Sequence, residues 1–416
     1  MTIPTPTTDL AVDDIALGSA DVWSRRDRDG IFARLRAERP VSFHEEPDFP
    51  GFPKGPGFWA LVRHDDVVRV SRDAETFISG RGSNIGDLPV ELLEFFGSMI
   101  NMDAPRHTKL RKLVNRGFTP RVVASLEDTV RRQARRIVDA VAPKGRCDFV
   151  EEIAAALPLQ IICDMMGIPA SDTRRMFELS NVILGIGDPE FGTTMDVLMG
   201  AAIELSQYAQ ALGEERTASP RDDITSVLMQ ADVDGDRLTP AEFASFFILL
   251  VVAGNETTRN AISHGMKALT DFPEARRAWM ADFAGLAPTA VEEIVRWATP
   301  VIHFRRTATR DVEVGGQTIR EGDKVVMWYN SANRDERVFD DPYRFDVGRT
   351  PNDHVAFGGG GAHFCLGANL ARREITVMFE ELLRRLPDIR VTGEPDMLFS
   401  GFIHGIKRMP AEWTPR

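Results

Sequence analysis

The longest apolar stretch of the chain, Phe246 to Gly254, lies inside a longer run that also takes in Phe243 and is apolar almost all round. A helix with that character is a buried one. Its start is written just upstream: Thr239 caps, Pro240 takes the first helical position, and Glu242 reaches back to complete a capping box. The pattern runs to about Thr270, which predicts a central helix roughly 48 Å long. A second long helix is expected from about Ala368 to Leu386, and an apolar stripe of Val291, Ile294, Val295 and Ala298 marks a third. The segments 312–319 and 323–329 alternate around glycine turns and read as strands. The chain is therefore expected to be mainly α, with a small β-rich region.

Composition narrows the class. A chain of 416 residues has room for two or three average domains or one large helical one, and no linker divides it. Only the polar, Pro/Thr-rich start, residues 1–20, is expected to stand apart as an extension, with 21–416 as a single domain. The net charge of −12 argues against nucleic acid as a partner. The N-terminus has no basic start followed by an apolar run, and the longest apolar stretch is less than half of the ~20 residues a membrane span needs. A cytoplasmic protein is expected. Three cysteines cannot all pair, and Cys147 and Cys163 read as core fillers.

Chemistry concentrates in four places. The run from Phe357 to Gly367 packs four consecutive glycines, Gly358 to Gly361, ahead of Cys365 and a helix start. Close backbone N–H groups and a helix N-terminus both favour a thiolate, although a lone cysteine is more often a buried filler. In the middle of the central helix, Ala253-Gly254-Asn255-Glu256-Thr257-Thr258-Arg259 places an acid and an alcohol where burial of polar groups is costly. The bland alternative is a kink at Gly254, with Thr257 bonded back one turn. Glu293 and Arg296 stand three apart on one helix face, where opposite charges meet. His107 and Arg111, four apart, share another face and suit an anionic cofactor; alone they could equally be a solvated basic helix.

Together these motifs resemble the cytochrome P-450 family. The resemblance implies the P-450 fold and a haem-thiolate monooxygenase with heme b, in which Cys365 is the axial metal ligand and Ala253, Phe357, Gly358, His363 and Gly367 also meet the cofactor. Phe357 lies one residue further upstream than the family pattern, so the hairpin carries an extra residue, and Phe357 and Phe364 both stand as candidates to shield the sulfur. Glu256 and Thr257 match the acid and alcohol that deliver protons. His107, Arg111, His363 and Arg306 match the propionate partners, with Arg305 as competitor for the last place. Glu293 and Arg296 match a structural charge network, for which Arg344 is taken as the downstream arginine.

Three segments, 157–169, 243–258 and 402–407, are similar to those of mycobacterial methyl-branched lipid omega-hydroxylases; related enzymes oxidise the side chain of cholesterol-type sterols. That implies a hydrophobic lipid substrate lined by residues such as Ile100, Leu198, Leu249 and Phe402, drawn from 84–101, 182–198, 249–257, 301–304 and 402. The basic stretch Arg106, Lys109, Arg111, Lys112, Arg116 and Arg121 suits an acidic ferredoxin, supplied by its reductase. Three other classes compete: a haem-thiolate sensor, a peroxide-driven hydroxylase, and a cofactor-free helical scaffold.

Overall fold

A computed structural model describes residues 3–416 apart from 20, 21, 24, 47–53, 186, 193, 233, 234 and 236. The central helix spans Pro240–Asp271 with its capping box formed: Glu242 N–H donates to Thr239 Oγ1 at 3.2 Å and Thr239 N–H to Glu242 Oε2 at 3.0 Å. Around it pack the helices Ala156–Met166, Met195–Ala218, Phe283–Ala298 and Ala368–Arg385. Their apolar faces merge into one large core that includes Phe243, Phe246, Phe247, Ile262 and Met266 from the central helix, each at most 1% exposed. Gly254 permits the closest of these approaches, because a Cβ there would collide with Ile162. The central helix runs unbroken through Gly254, so the glycine serves packing and not a break.

The β-rich part is a five-stranded sheet in the order Val41–His44, Phe58–Leu61, Lys324–Trp328, His303–Ala308, Phe77–Ile78. Phe58–Leu61 pairs in parallel with Lys324–Trp328 and the other neighbours are antiparallel. Arg305 lies opposite Val326 and Arg306 opposite Val325. Consecutive strand residues face opposite sides, so this register sends the two arginines apart. The expected strands appear as the hairpin Val312–Val314 with Gln317–Ile319, and as Lys324–Trp328.

The start of the chain is less separate than its composition suggested. Ile15 and Leu17 are buried among Phe32, Phe58 and Trp328, while the expected boundary at 20 and 21 falls outside the described residues. Cys147 and Cys163 are free thiols, and burial pushes both up to about 12, as inert fillers require. Among the described residues no helix is long and apolar enough to cross a membrane.

Candidate active site

A cavity of about 230 Å³ opens between the central helix, the glycine-rich loop and the start of the helix Ala368–Arg385, and Cys365 stands on its wall. The loop is closed by Cys365 N–H donating to the Phe357 carbonyl at 2.9 Å. Gly358, Gly360 and Gly361 have φ of 98°, 91° and 85°, the left-handed region that favours glycine. A Cβ on Gly361 would sit 2.6 Å from the Ser71 carbonyl oxygen, so the loop lies directly on the helix His64–Arg72. Ser71 Oγ donates to the Gly360 carbonyl at 2.9 Å and Arg72 Nε to that of Gly359 at 3.2 Å.

The glycines thus serve the turn and this packing; the N–H groups that favour the thiolate are those of Gly367 and Ala368, at the start of the following helix. That corrects the expectation that the run of glycines, as well as the helix start, favours a thiolate. Burial pushes the Cys365 thiol up, against those two N–H groups and the nearby Arg111 and Arg372. A bound metal would therefore have to stabilise the thiolate. Gly367 faces open space, with nothing within 4 Å of where its Cβ would be. Phe357 and Phe364 both line the cavity, 6.4 Å apart, with Phe364 the more exposed at 39%.

Ala253, Gly254, Thr257 and Thr258 bring the central helix to the opposite wall. Thr257 Oγ1 donates to the Ala253 carbonyl at 2.7 Å. Glu256 does not share that wall. It is fully buried, with Oε1 bound by Arg259 and, at 3.0 Å, by Asn260 Nδ2, while Oε2 has no partner. Its partners decide this: Arg259 and Asn260, one turn further along the helix, hold the carboxylate away from the cavity. A different carboxyl does line it. Glu374, nine residues beyond Cys365, is 2% exposed, and burial pushes its carboxyl up to about 8 despite a hydrogen bond with Thr258. An acid on the buried stripe Leu370, Val377, Met378 was the sequence signal for it, and it was missed.

The basic residues gather at one edge. His107, Arg111, Arg306 and His363 all line the cavity, and the two histidine rings lie 4.3 Å apart. His107 Nε2 is buried without a partner. Burial, together with Arg306, His107 and Arg111, holds His363 down at about 3. Arg305 is turned away into Asp87, at 2.7 Å, and the carbonyls of Arg81, Asn84 and Ile85. Two clustered arginines, two imidazoles of which one has an orphaned ring nitrogen, a cysteine and a side-chain-free wall at Gly367 fit a flat, dianionic haem ligated through Cys365.

Glu293 and Arg296 are wholly buried and bidentate, at 2.7 and 2.8 Å. Their third member is Arg349, whose Nε donates to Glu293 Oε2 at 3.1 Å. Arg344 was expected there, but its side chain is exposed and only its carbonyl takes part, accepting from Arg349 Nη2 at 3.0 Å. The route of the loop decides this, because it buries Arg349 and turns Arg344 to solvent.

Of the expected substrate contacts, Ile100 and Leu249 line the cavity. Leu198 is buried elsewhere, and no described residue of 182–198 reaches the wall. Phe402 stands one layer back, edge-on to the lining Phe304 at 5.6 Å. Met99, from the expected stretch 84–101, also lines the wall, as do Met165 and Phe246; Phe118 lines it from outside the segments the sequence pointed to.

The family profile for Cytochrome P450 matches residues 285–396. A methyl-branched lipid omega-hydroxylase of Mycobacterium tuberculosis is 55% identical over 415 residues, 99% of this chain and 97% of that protein. A steroid C26-monooxygenase of Rhodococcus jostii is 44% identical over 400 residues, 94% of this chain and 83% of the other. A Mycobacterium marinum cytochrome P450 solved in complex with pseudoionone superposes with a TM-score of 0.93 at 48% identity, covering 98% of this chain and 100% of that one. The chain belongs to the cytochrome P450 family, the haem-thiolate monooxygenases.

Proposed function

We propose that this chain hydroxylates a hydrophobic lipid at the terminal (omega) carbon of a methyl-branched fatty acid or isoprenoid chain, using O2 and two electrons from a ferredoxin and its reductase. The carrying observation is the division of the cavity wall. Its basic side chains are His107, Arg111, Arg306 and His363, gathered at one edge, while Met99, Ile100, Phe246, Leu249 and Val301 give an apolar stretch with few other polar groups, Thr257, Thr258 and Glu374 among them. Such a surface holds a long hydrocarbon and excludes water. Terminal C–H bonds are stronger than those beside them, so attack at the end requires a wall that presents the chain end-on. Phe304 is braced for that by Phe402 and, at 6.2 Å, by Tyr329.

The cofactor in this reading is heme b, which supplies an O2-activating iron when bound. Cys365 would hold the iron, and the basic edge the propionates. Thr257 keeps a hydroxyl on the wall, where it can hold a proton. Lys112, Arg116 and Arg121 are exposed and offer an acidic ferredoxin a landing surface whose affinity should fall with salt. The same reading places the protein in the cytoplasm beside its electron donor.

The test starts with the dithionite-reduced, carbon monoxide-saturated spectrum. A long-wavelength Soret band is expected, lost in Cys365→Ala; its absence from the parent protein overturns the ligand assignment. Turnover with ferredoxin and reductase should then convert a methyl-branched fatty acid to its terminal alcohol. Product from a sterol side chain alone would replace the branched-chain substrate with the one named for the Rhodococcus relative. Equal turnover with peroxide alone would remove the ferredoxin.

A further inference from the structure

Away from the Cys365 cavity, a second hollow of about 120 Å³ lies against the start of the helix Arg28–Glu38. Its wall carries Arg26, Arg28, Arg334, His404, Asn330 and one carboxylate, Asp29. Three guanidinium groups against one carboxylate is an unusual lining in a chain with a net charge of −12.

The partners of these groups are few. Arg334 is 8% exposed and donates to the carbonyls of Arg296 at 3.1 Å and Trp297 at 2.8 Å, while its Nε is buried without a partner. Burial and the adjacent Arg296 hold its guanidinium down at about 10. Arg28 has neither an ion pair nor a hydrogen bond among the described residues, and burial lowers it too. Asn330 Oδ1 is buried and unpaired; turning the amide would present its N–H₂ instead. His404 donates from Nδ1 to the Ala298 carbonyl at 2.6 Å, its ring lies tilted 4.1 Å from that of His264, and burial, with His264 and the nearby Arg28 and Arg334, pushes its pKa well down. Asp29 is the one carboxylate of the lining and acts on both Arg28 and Arg334, so the hollow keeps an excess of positive charge that a bound anion would offset.

We infer that this hollow is a binding site for a small oxyanion of the phosphate type, held by Arg28 and Arg334 with Arg26 at the mouth. The N-terminal N–H groups of the helix Arg28–Glu38 add donors of the same sense. The hollow holds only a few waters' volume, which limits the ligand to a free ion or a single phosphate group.

Calorimetric titration of the holoenzyme with inorganic phosphate, at ionic strength fixed with chloride, tests the site. Saturable one-site binding is expected, weakened at least tenfold in Arg28→Gln and unchanged in Arg344→Ala, an exposed arginine elsewhere. The carbon monoxide spectrum of Arg28→Gln should match the parent, which separates loss of the site from loss of fold. No saturable heat in the parent protein, or equal binding in Arg28→Gln, overturns the inference. A parallel arm with phosphatidylcholine vesicles containing phosphatidic acid fixes the source. Vesicle binding sensitive to Arg28→Gln assigns a lipid headgroup, and phosphate binding without vesicle binding assigns the free ion.

Discussion

Glu293 and Glu374 are equally buried, at 0% and 2% exposure, yet the protein treats them oppositely. Glu293 Oε1 accepts from Arg296 and from the Asp346 N–H; its Oε2 accepts from Arg296, Arg349 and Asn352. Against the cost of burial, those partners hold its carboxyl below the usual range. Glu374 has a hydrogen bond with Thr258 and no cation beside it, so burial prevails and the carboxyl rises to about 8. The number of partners, and not depth, decides whether a buried acid is a fixed anion or a neutral group able to hold a proton.

The largest effect should come from breaking the satisfied member. Glu293→Gln leaves Arg296 and Arg349 as buried cations without their anion, a change that costs about 3–5 kcal/mol. Denaturant titration of the holoenzyme should show it, with haem released at lower denaturant. A loss below about 1 kcal/mol would mean that the network is ornamental.

Glu374→Gln should act in the other direction and depend on pH. Glu374 is raised from 4.5 to about 8, so below 4.5 it is protonated in both folded and unfolded chains and contributes no difference. Between 4.5 and 8 the unfolded chain loses the proton and the folded one keeps it, which penalises folding progressively. Glutamine removes that penalty. The stability gained by Glu374→Gln should grow through this window to on the order of a few kcal/mol. Glu293 has the opposite sign: its contribution is present above pH 4.5 and is lost as the pH falls through its lowered value. A Glu374→Gln difference that is flat from pH 5 to 8 would show the carboxyl to be ionised.

Local signals explain what the chain disclosed beforehand. The capping box at Thr239 and Glu242, the Glu293–Arg296 pair and the cysteine with its helix each sit within a few residues, so spacing alone sets their geometry. What escaped depends on orientation. Strand register separates Arg305 from Arg306, pairing with Arg259 and Asn260 draws Glu256 from the cavity that Thr257 faces, and tertiary packing buries Glu374 beside Thr258. Leu198 failed for the same reason: an apolar residue near a site need not point at it.

Glu256 and Thr257 sharpen the comparison at smaller cost. Glu256→Gln weakens its pairing with Arg259 and should lose about 1–3 kcal/mol, the range for a buried charged partner. Thr257→Ala should barely alter stability, because Thr257 Oγ1 only bonds back to its own helix. Its expected effect is on coupling: substrate still binds, and several-fold more of the reducing equivalents leave as peroxide. Equal uncoupling in both variants would show that the acid reaches the reaction despite its orientation.

A null effect should separate two arginines five residues apart. Arg349 is 9% exposed and donates to Glu293 and to the carbonyls of Asp340, Asp341 and Arg344, so Arg349→Ala removes four bonds and should destabilise by about 2–3 kcal/mol. Arg344 contributes its backbone carbonyl, which alanine keeps, while its side chain is exposed to solvent. Arg344→Ala should therefore stay within about 0.5 kcal/mol of the parent in denaturant titration. If that substitution cost as much as Arg349→Ala, the charge network would run through the residue that the family spacing first suggested, and the partner count of Glu293 would need to be redrawn.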